Sequence, residues 1–237
     1  MELIASKTVA EVVAENYKTA DVFKKYGIDF CCGGGISLAE MCKKKGLNYS
    51  EVEKDLKLID SDVPQSQNFN KWELDFLIDH IIHTHHRYVS ESIPLIIQYA
   101  SKVARVHGHH YSETIEIKEL FLAVAEELRL HIQKEEMILF PFIKSQVEAR
   151  KKGLPLPKPP FGTVQNPIRM MEAEHENAGD IFKKIAALSN DYQPPEGACN
   201  TYRVLYGKLQ EFENDLHQHI HLENNILFPK AIKLEHP

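Results

Sequence analysis

From residue 70 onward, apolar side chains recur every three or four positions in four long segments, the period of a helix with one face turned to a core. The first segment runs from about 70 to 107, with Pro94 expected to bend it, and the second spans about 117–150. The third covers about 167–189, with Pro167 well placed at a first helical position, and the fourth about 197–228. A loop rich in Pro and Gly (153–162) and the pair Pro194-Pro195 separate the later segments. Four long helices joined by polar turns predict an all-α bundle. Ahead of them, residues 1–60 read as short helices, because Thr8 with Glu11, Ser37 with Glu40 and Ser50 with Glu53 each have capping-box spacing. Tyr26–Gly35, which holds Cys31, Cys32 and a run of glycines, reads as a turn. Residues 61–69, around Pro64, read as a linker, which leaves 70–237 for the bundle.

The apolar stripes carry six polar residues. The second reads Ile117, Phe121, Val124, Leu128, His131, Glu135, Ile138, Phe142, and the fourth Tyr202, Leu205, Leu209, Phe212, Leu216, His219, Glu223, Ile226. The third reads Ile168, Met171, His175, Ala178, Phe182, Ile185, and the first His86, Val89, Ile93, Ile96, Ala100, Val103. The second and fourth segments are a repeat: ELRLHIQKEEMILFP (127–141) superposes on DLHQHIHLENNILFP (215–229) at an offset of 88, and His86 matches His175 at 89. Each half therefore supplies one His and, further on, a His-x-x-x-Glu whose two side chains share one side of a helix. A buried carboxylate costs several kcal/mol unless it is compensated, and a bound metal turns that cost into folding energy. Four imidazoles and two carboxylates suit two metals, each taking two His and sharing Glu135 and Glu223, with a bridging oxygen and an exchangeable position. Imidazole with carboxylate favours iron over calcium or magnesium.

Composition narrows the picture. The net charge is −6 with no long basic run, which excludes nucleic acid or an anionic membrane surface as the expected partner. No apolar stretch reaches a membrane span, and the first residues lack the basic and apolar regions of a signal peptide, so the expected location is the cytoplasm. Four cysteines (Cys31, Cys32, Cys42, Cys199) do not make a disulfide scaffold at this length; Cys42 and Cys199 read as packing residues. Cys31 and Cys32 are open to two readings, small residues in a glycine turn or soft ligands for iron or nitric oxide in transit. His80, His83, His85, His217 and His221 fall off the ligand phase and read as surface or supporting imidazoles. His107 stands 21 residues beyond His86, about 31 Å along an unbroken helix. It joins the same centre only if the chain folds back.

These motifs resemble the hemerythrin-like superfamily rather than the ferritin-like bundles, which use Glu-x-x-His and four carboxylates. Gly179 stands four residues after His175, where oxygen-carrying hemerythrins have another His, and the last carboxylate is Glu223 at i+4 rather than an Asp at i+5. Both departures argue against a stable oxygen carrier. KKYGIDFCCGG (24–34), DHIIHTHH (79–86), RVH (105–107), MEAEH (171–175) and the two repeat motifs resemble, from about residue 6 to 233, the iron–sulfur cluster repair di-iron family. That resemblance implies a hemerythrin-like bundle behind a di-cysteine domain. It also implies two non-haem irons with an oxo or hydroxo bridge, held by His86, His131, Glu135, His175, His219 and Glu223, and a transit role for Cys31 and Cys32. The implied function is repair of iron–sulfur clusters damaged by nitrosative or oxidative stress, by supplying iron to damaged client proteins, in a chain that can form a homodimer. The alternatives are a nitric oxide reductase forming nitrous oxide and a module that binds or senses oxygen or nitric oxide.

Overall fold

The computed structural model describes residues 4–59 and 68–235, so most of the expected linker at 61–69 lies outside the described residues. The regular elements among the described residues are all helices, with one isolated bridge between Thr8 and Ser37. They fall into two compact units, one drawn from Met1–Ile78 and Gln218–Pro237, the other from Asp79–His217.

The first unit opens with α1 (Val9–Glu15), α2 (Thr19–Lys25), α3 (Leu38–Lys45) and α4 (Tyr49–Lys57). Capping boxes start α1 at Thr8 and α3 at Ser37, each with its glutamate at N3 returning to the cap amide. The third expected box is not formed. Asn48 caps α4 instead, and Glu53 pairs with Lys57. Val9, Phe23, Leu38 and Val52 are buried at the centre of these short helices. Lys25 and Tyr26 at the end of α2 both bond Asp55 of α4. The unit also holds α5 (Leu74–Ile81) up to Ile78 and, at the other end of the chain, α11 (Phe228–Glu235).

The second unit contains α6 (Arg87–His107), α7 (Glu113–Lys134), α8 (Phe140–Lys151), α9 (Gln165–Leu188) and α10 (Asn200–Leu222) as far as His217. Phe121 of α7, Phe182 of α9 and Phe212 of α10 form an aromatic knot. Phe182 stacks on Phe212 at 5.5 Å, and Phe121 meets Phe212 edge-on at 5.6 Å. All three are fully buried, and such pairs contribute about 0.5–1.5 kcal/mol each beyond area burial. Helix α6 continues through Pro94 as one element.

Among the described residues the α-helical pattern is interrupted by three π-helical turns, Ile82–His86, Glu135–Leu139 and Glu223–Leu227. Phe140 N–H reaches the Glu135 carbonyl, and Phe228 N–H the Glu223 carbonyl, five residues back rather than four. In both repeats a proline follows, and it has no N–H for a straight helix and a ring that would strike the carbonyl four residues before it. A widened turn relieves that collision. In the second segment the extra residue shifts the core register: Ile138, expected inside, is 52 % exposed and Phe142 half-buried, while Leu139, Phe140 and Ile143 are buried; in the fourth, Ile226 stays buried.

Candidate metal centre

Within the second unit the structure brings His86, His131, Glu135 and His175 together, all buried to within about 1 %. Glu135 Oε2 lies 3.3 Å from His86 Nε2 and 3.4 Å from His131 Nε2. The His131 and His175 Nε2 atoms are 3.0 Å apart. Within the first unit, His219 Nε2 lies 3.0 Å from Glu223 Oε1, and both residues are fully buried. His86 closes one π-turn, and Glu135 and Glu223 each open another, so every turn with the extra residue carries a predicted ligand at its edge.

The outer nitrogens decide what the inner ones can do. His86 Nδ1–H donates to Glu136 Oε1 at 2.9 Å, and His131 Nδ1–H donates to Glu174 Oε2 at 2.8 Å. Lys134 also bonds Glu174. The His131 hydrogen bond, with Lys134 adding to it against partial burial, holds the Glu174 carboxyl at about 2. With their protons fixed outward, the two rings turn Nε2 lone pairs toward the Glu135 carboxylate. Electron-rich atoms at 3.3 and 3.4 Å repel unless a cation lies among them. Nitrogen with carboxylate oxygen is a donor set that suits iron, so these residues fit a metal. The His86 ring is stacked on Phe140 at 5.6 Å, which places the Phe of the Phe-Pro motif behind a candidate ligand.

Glu136 and Glu174 were not singled out in the sequence. They flank Glu135 and His175 on the outward side of their helices, where glutamate is ordinary, and adjacency to a ligand was the only signal. His85, expected as a surface or supporting imidazole, is buried and bonded to Asp215 at 2.9 Å. Burial pushes the His221 imidazole down to about 3, and its Nδ1 accepts from Asn225. His107 ends an unbroken α6 and lies 3.3 Å from Cys199 Sγ, so the chain does not fold back there. Cys199 itself is exposed and is not the packing residue expected, whereas Cys42 is buried.

Cys31 and Cys32 sit in the first unit beside Asp29, with ligand atoms of all three within 4.8 Å of one another. Asp29 Oδ1 accepts the amides of Cys31, Cys32 and Gly33 and the Cys31 thiol at 3.3 Å. The neighbouring Cys32 thiol, followed by burial and Asp29, pushes the Cys31 thiol well up. The loop is tight: a Cβ on Gly34 would come within 2.4 Å of the Phe30 carbonyl, so only glycine fits.

A family model described as the hemerythrin HHE cation binding domain matches residues 77–231, and ScdA_N, a domain of unknown function (DUF542), matches residues 5–60. The iron–sulfur cluster repair protein YtfE of Yersinia pseudotuberculosis serotype IB (strain PB1/+) is 36 % identical over 214 residues, 90 % of this chain and 91 % of that protein. YtfE of Yersinia pestis (strain Pestoides F) is 36 % identical over 218 residues, 92 % of this chain and 93 % of its own. The chain belongs to the YtfE family of hemerythrin-like proteins. Its fold is accordingly a hemerythrin-like four-helix bundle preceded by a small helical domain, and the family model that spans the bundle is that of a cation-binding domain. No described helix is long and apolar enough to cross a membrane.

Proposed function

We propose that this chain repairs iron–sulfur clusters damaged by nitrosative or oxidative stress, and that it does so by giving up iron. In this reading His86, His131, Glu135, His175, His219 and Glu223 hold a pair of iron ions, with Glu135 and Glu223 as the bridges. Residues 1–60 form the di-cysteine domain, 61–69 the linker and 70–237 the bundle. The observation that carries the reading is the Glu135 carboxylate set against two imidazoles whose outer protons are fixed by Glu136 and Glu174. Its support is the cluster-repair role for which the relatives are named, together with the span of the cation-binding family match.

Bound iron supplies a transferable ferrous ion. The chain's own residues set how firmly it is kept. Neutral imidazoles outnumber carboxylates, so ferric charge is less compensated than in a four-carboxylate site, which favours the ferrous state and eases loss. Glu136 and Glu174 orient their ring partners and raise ligand basicity. Cys31 and Cys32 offer soft sulfur donors for iron or nitric oxide in transit. All four cysteines are free, which suits the reducing cytoplasm.

The direct test mixes the iron-loaded chain with an iron–sulfur enzyme inactivated by nitric oxide, with no added iron. Activity is expected to return as iron leaves the chain. An enzyme that stays inactive while the chain keeps its iron spectrum would overturn the repair role.

A further inference from the structure

The di-cysteine loop and the turn that begins at Glu223 belong to one unit and are hydrogen-bonded to each other. Asn224 Nδ2 donates to the Cys31 carbonyl at 3.4 Å, and Asn225 Nδ2 donates to the Phe30 carbonyl at 3.1 Å. The second Asn225 proton goes to His221 Nδ1 at 2.9 Å, one helical turn back. The His221 ring in turn lies 6.0 Å from Phe30 and 5.9 Å from Tyr17. The helix thus grips the loop by two amides and one buried imidazole.

The loop cannot yield locally. Asp29 gathers three of its amides and one thiol on a single oxygen, and Gly34 is pressed between the Phe30 carbonyl and Ala10, whose amide donates to the Gly34 carbonyl at 2.9 Å. Cys31 is 5 % exposed, so anything attached to its sulfur must displace the loop as a body. The other end of the connection is soft. Asn224 and Asn225 are the second and third residues of a π-turn, an interruption of the α-helix that Glu223 itself opens. A rigid loop fastened to the turn that carries Glu223 is an arrangement by which one site can bias another.

We propose that Asn224 and Asn225 are positioning residues that link the Cys31-Cys32 dithiol to Glu223, so that modifying the dithiol shifts the Glu223 turn and loosens the iron. This rests on the reading of the centre as an iron store and adds the trigger for release. The dithiol is the sensor and the carboxylate ligand is the output.

The test uses the full chain and phenylarsine oxide, which condenses with two neighbouring thiols to form two As–S bonds and one water. Iron loss to a ferrous chelator is expected to quicken about fivefold or more when the arsenical binds. Cys31→Ser with Cys32→Ser should abolish the effect. Asn224→Ala with Asn225→Ala should still take up the arsenical by mass spectrometry, yet bring the ratio of release rates close to one. A merely structural role would alter both rates and leave their ratio alone. In the metal-free wild-type chain, the arsenical should raise amide exchange across Glu223–Leu227. Unchanged exchange, a wild-type ratio of one, or a ratio preserved without the two amides would each overturn the proposal. A normal ratio in a chain that cannot restore damaged clusters would sink the repair role and leave the linkage standing.

Discussion

Glu135 and Glu223 each open a π-helical turn that closes on a Phe-Pro pair, yet the residues that follow them meet different partners. After Glu135 comes Glu136, which accepts the Nδ1 proton of His86. After Glu223 come Asn224 and Asn225, which donate to main-chain carbonyls of the di-cysteine loop. The repeat keeps the ligand and the widened turn, since an inward His and Glu at i,i+4 leave little freedom. It diverges one position outward. In the proposed centre one half adjusts the basicity of a ligand, and the other ties the turn of its glutamate to the loop that carries two thiols.

Removing either glutamate should have the largest effect. Glu135→Leu and Glu223→Leu are each expected to abolish stable iron binding, measured as metal per chain. Both should also raise the melting temperature of the metal-free protein by a few degrees, because a buried carboxylate is replaced by a side chain that favours the core. Full iron content in one variant and none in the other would break the equivalence of the two halves.

A smaller effect separates the flanking positions. Glu136→Gln and Glu174→Gln should weaken iron binding by about 10–100-fold in competition with a chelator, since they replace the anionic acceptors of the His86 and His131 Nδ1 protons with neutral amides. Asn224→Ala should change equilibrium affinity by less than about threefold, because the bond lost is a neutral one to the Cys31 carbonyl at 3.4 Å. Equal losses at Glu136 and Asn224 would erase the division of labour between the two turns.

Much of this was legible in the sequence, for physical reasons. The six candidate ligands fall on helical stripes otherwise made of aliphatic and aromatic residues, so phase alone marks them as inward. The π-turns were hidden because a 3,4 spacing absorbs one extra residue until the stripe ends, which is why Ile138 was placed inside and is in fact exposed. The proline after each Phe was the available clue. Glu136, Glu174, Asn224 and Asn225 carried no signal, since their roles depend on contacts 43 to 195 residues away in sequence. The Asn48 cap of α4 displaced the expected Ser50 box because Asn is at least as good a cap and stands two residues earlier.

The prolines give the smallest expected change. Pro141→Ala and Pro229→Ala restore a main-chain donor and let the ordinary helix compete with the widened turn, and each should weaken iron binding by less than about tenfold. The turn at Ile82–His86 has no proline two residues beyond it, so unchanged affinity in both variants would assign all three turns to packing alone.

Metal content tests the shared-ligand centre most directly. Iron and protein quantified on the same reconstituted sample should give about two irons per chain, falling together when Glu135 is replaced. A folded chain that binds no iron, or that keeps its full complement without Glu135, would contradict a centre built on the two repeated glutamates.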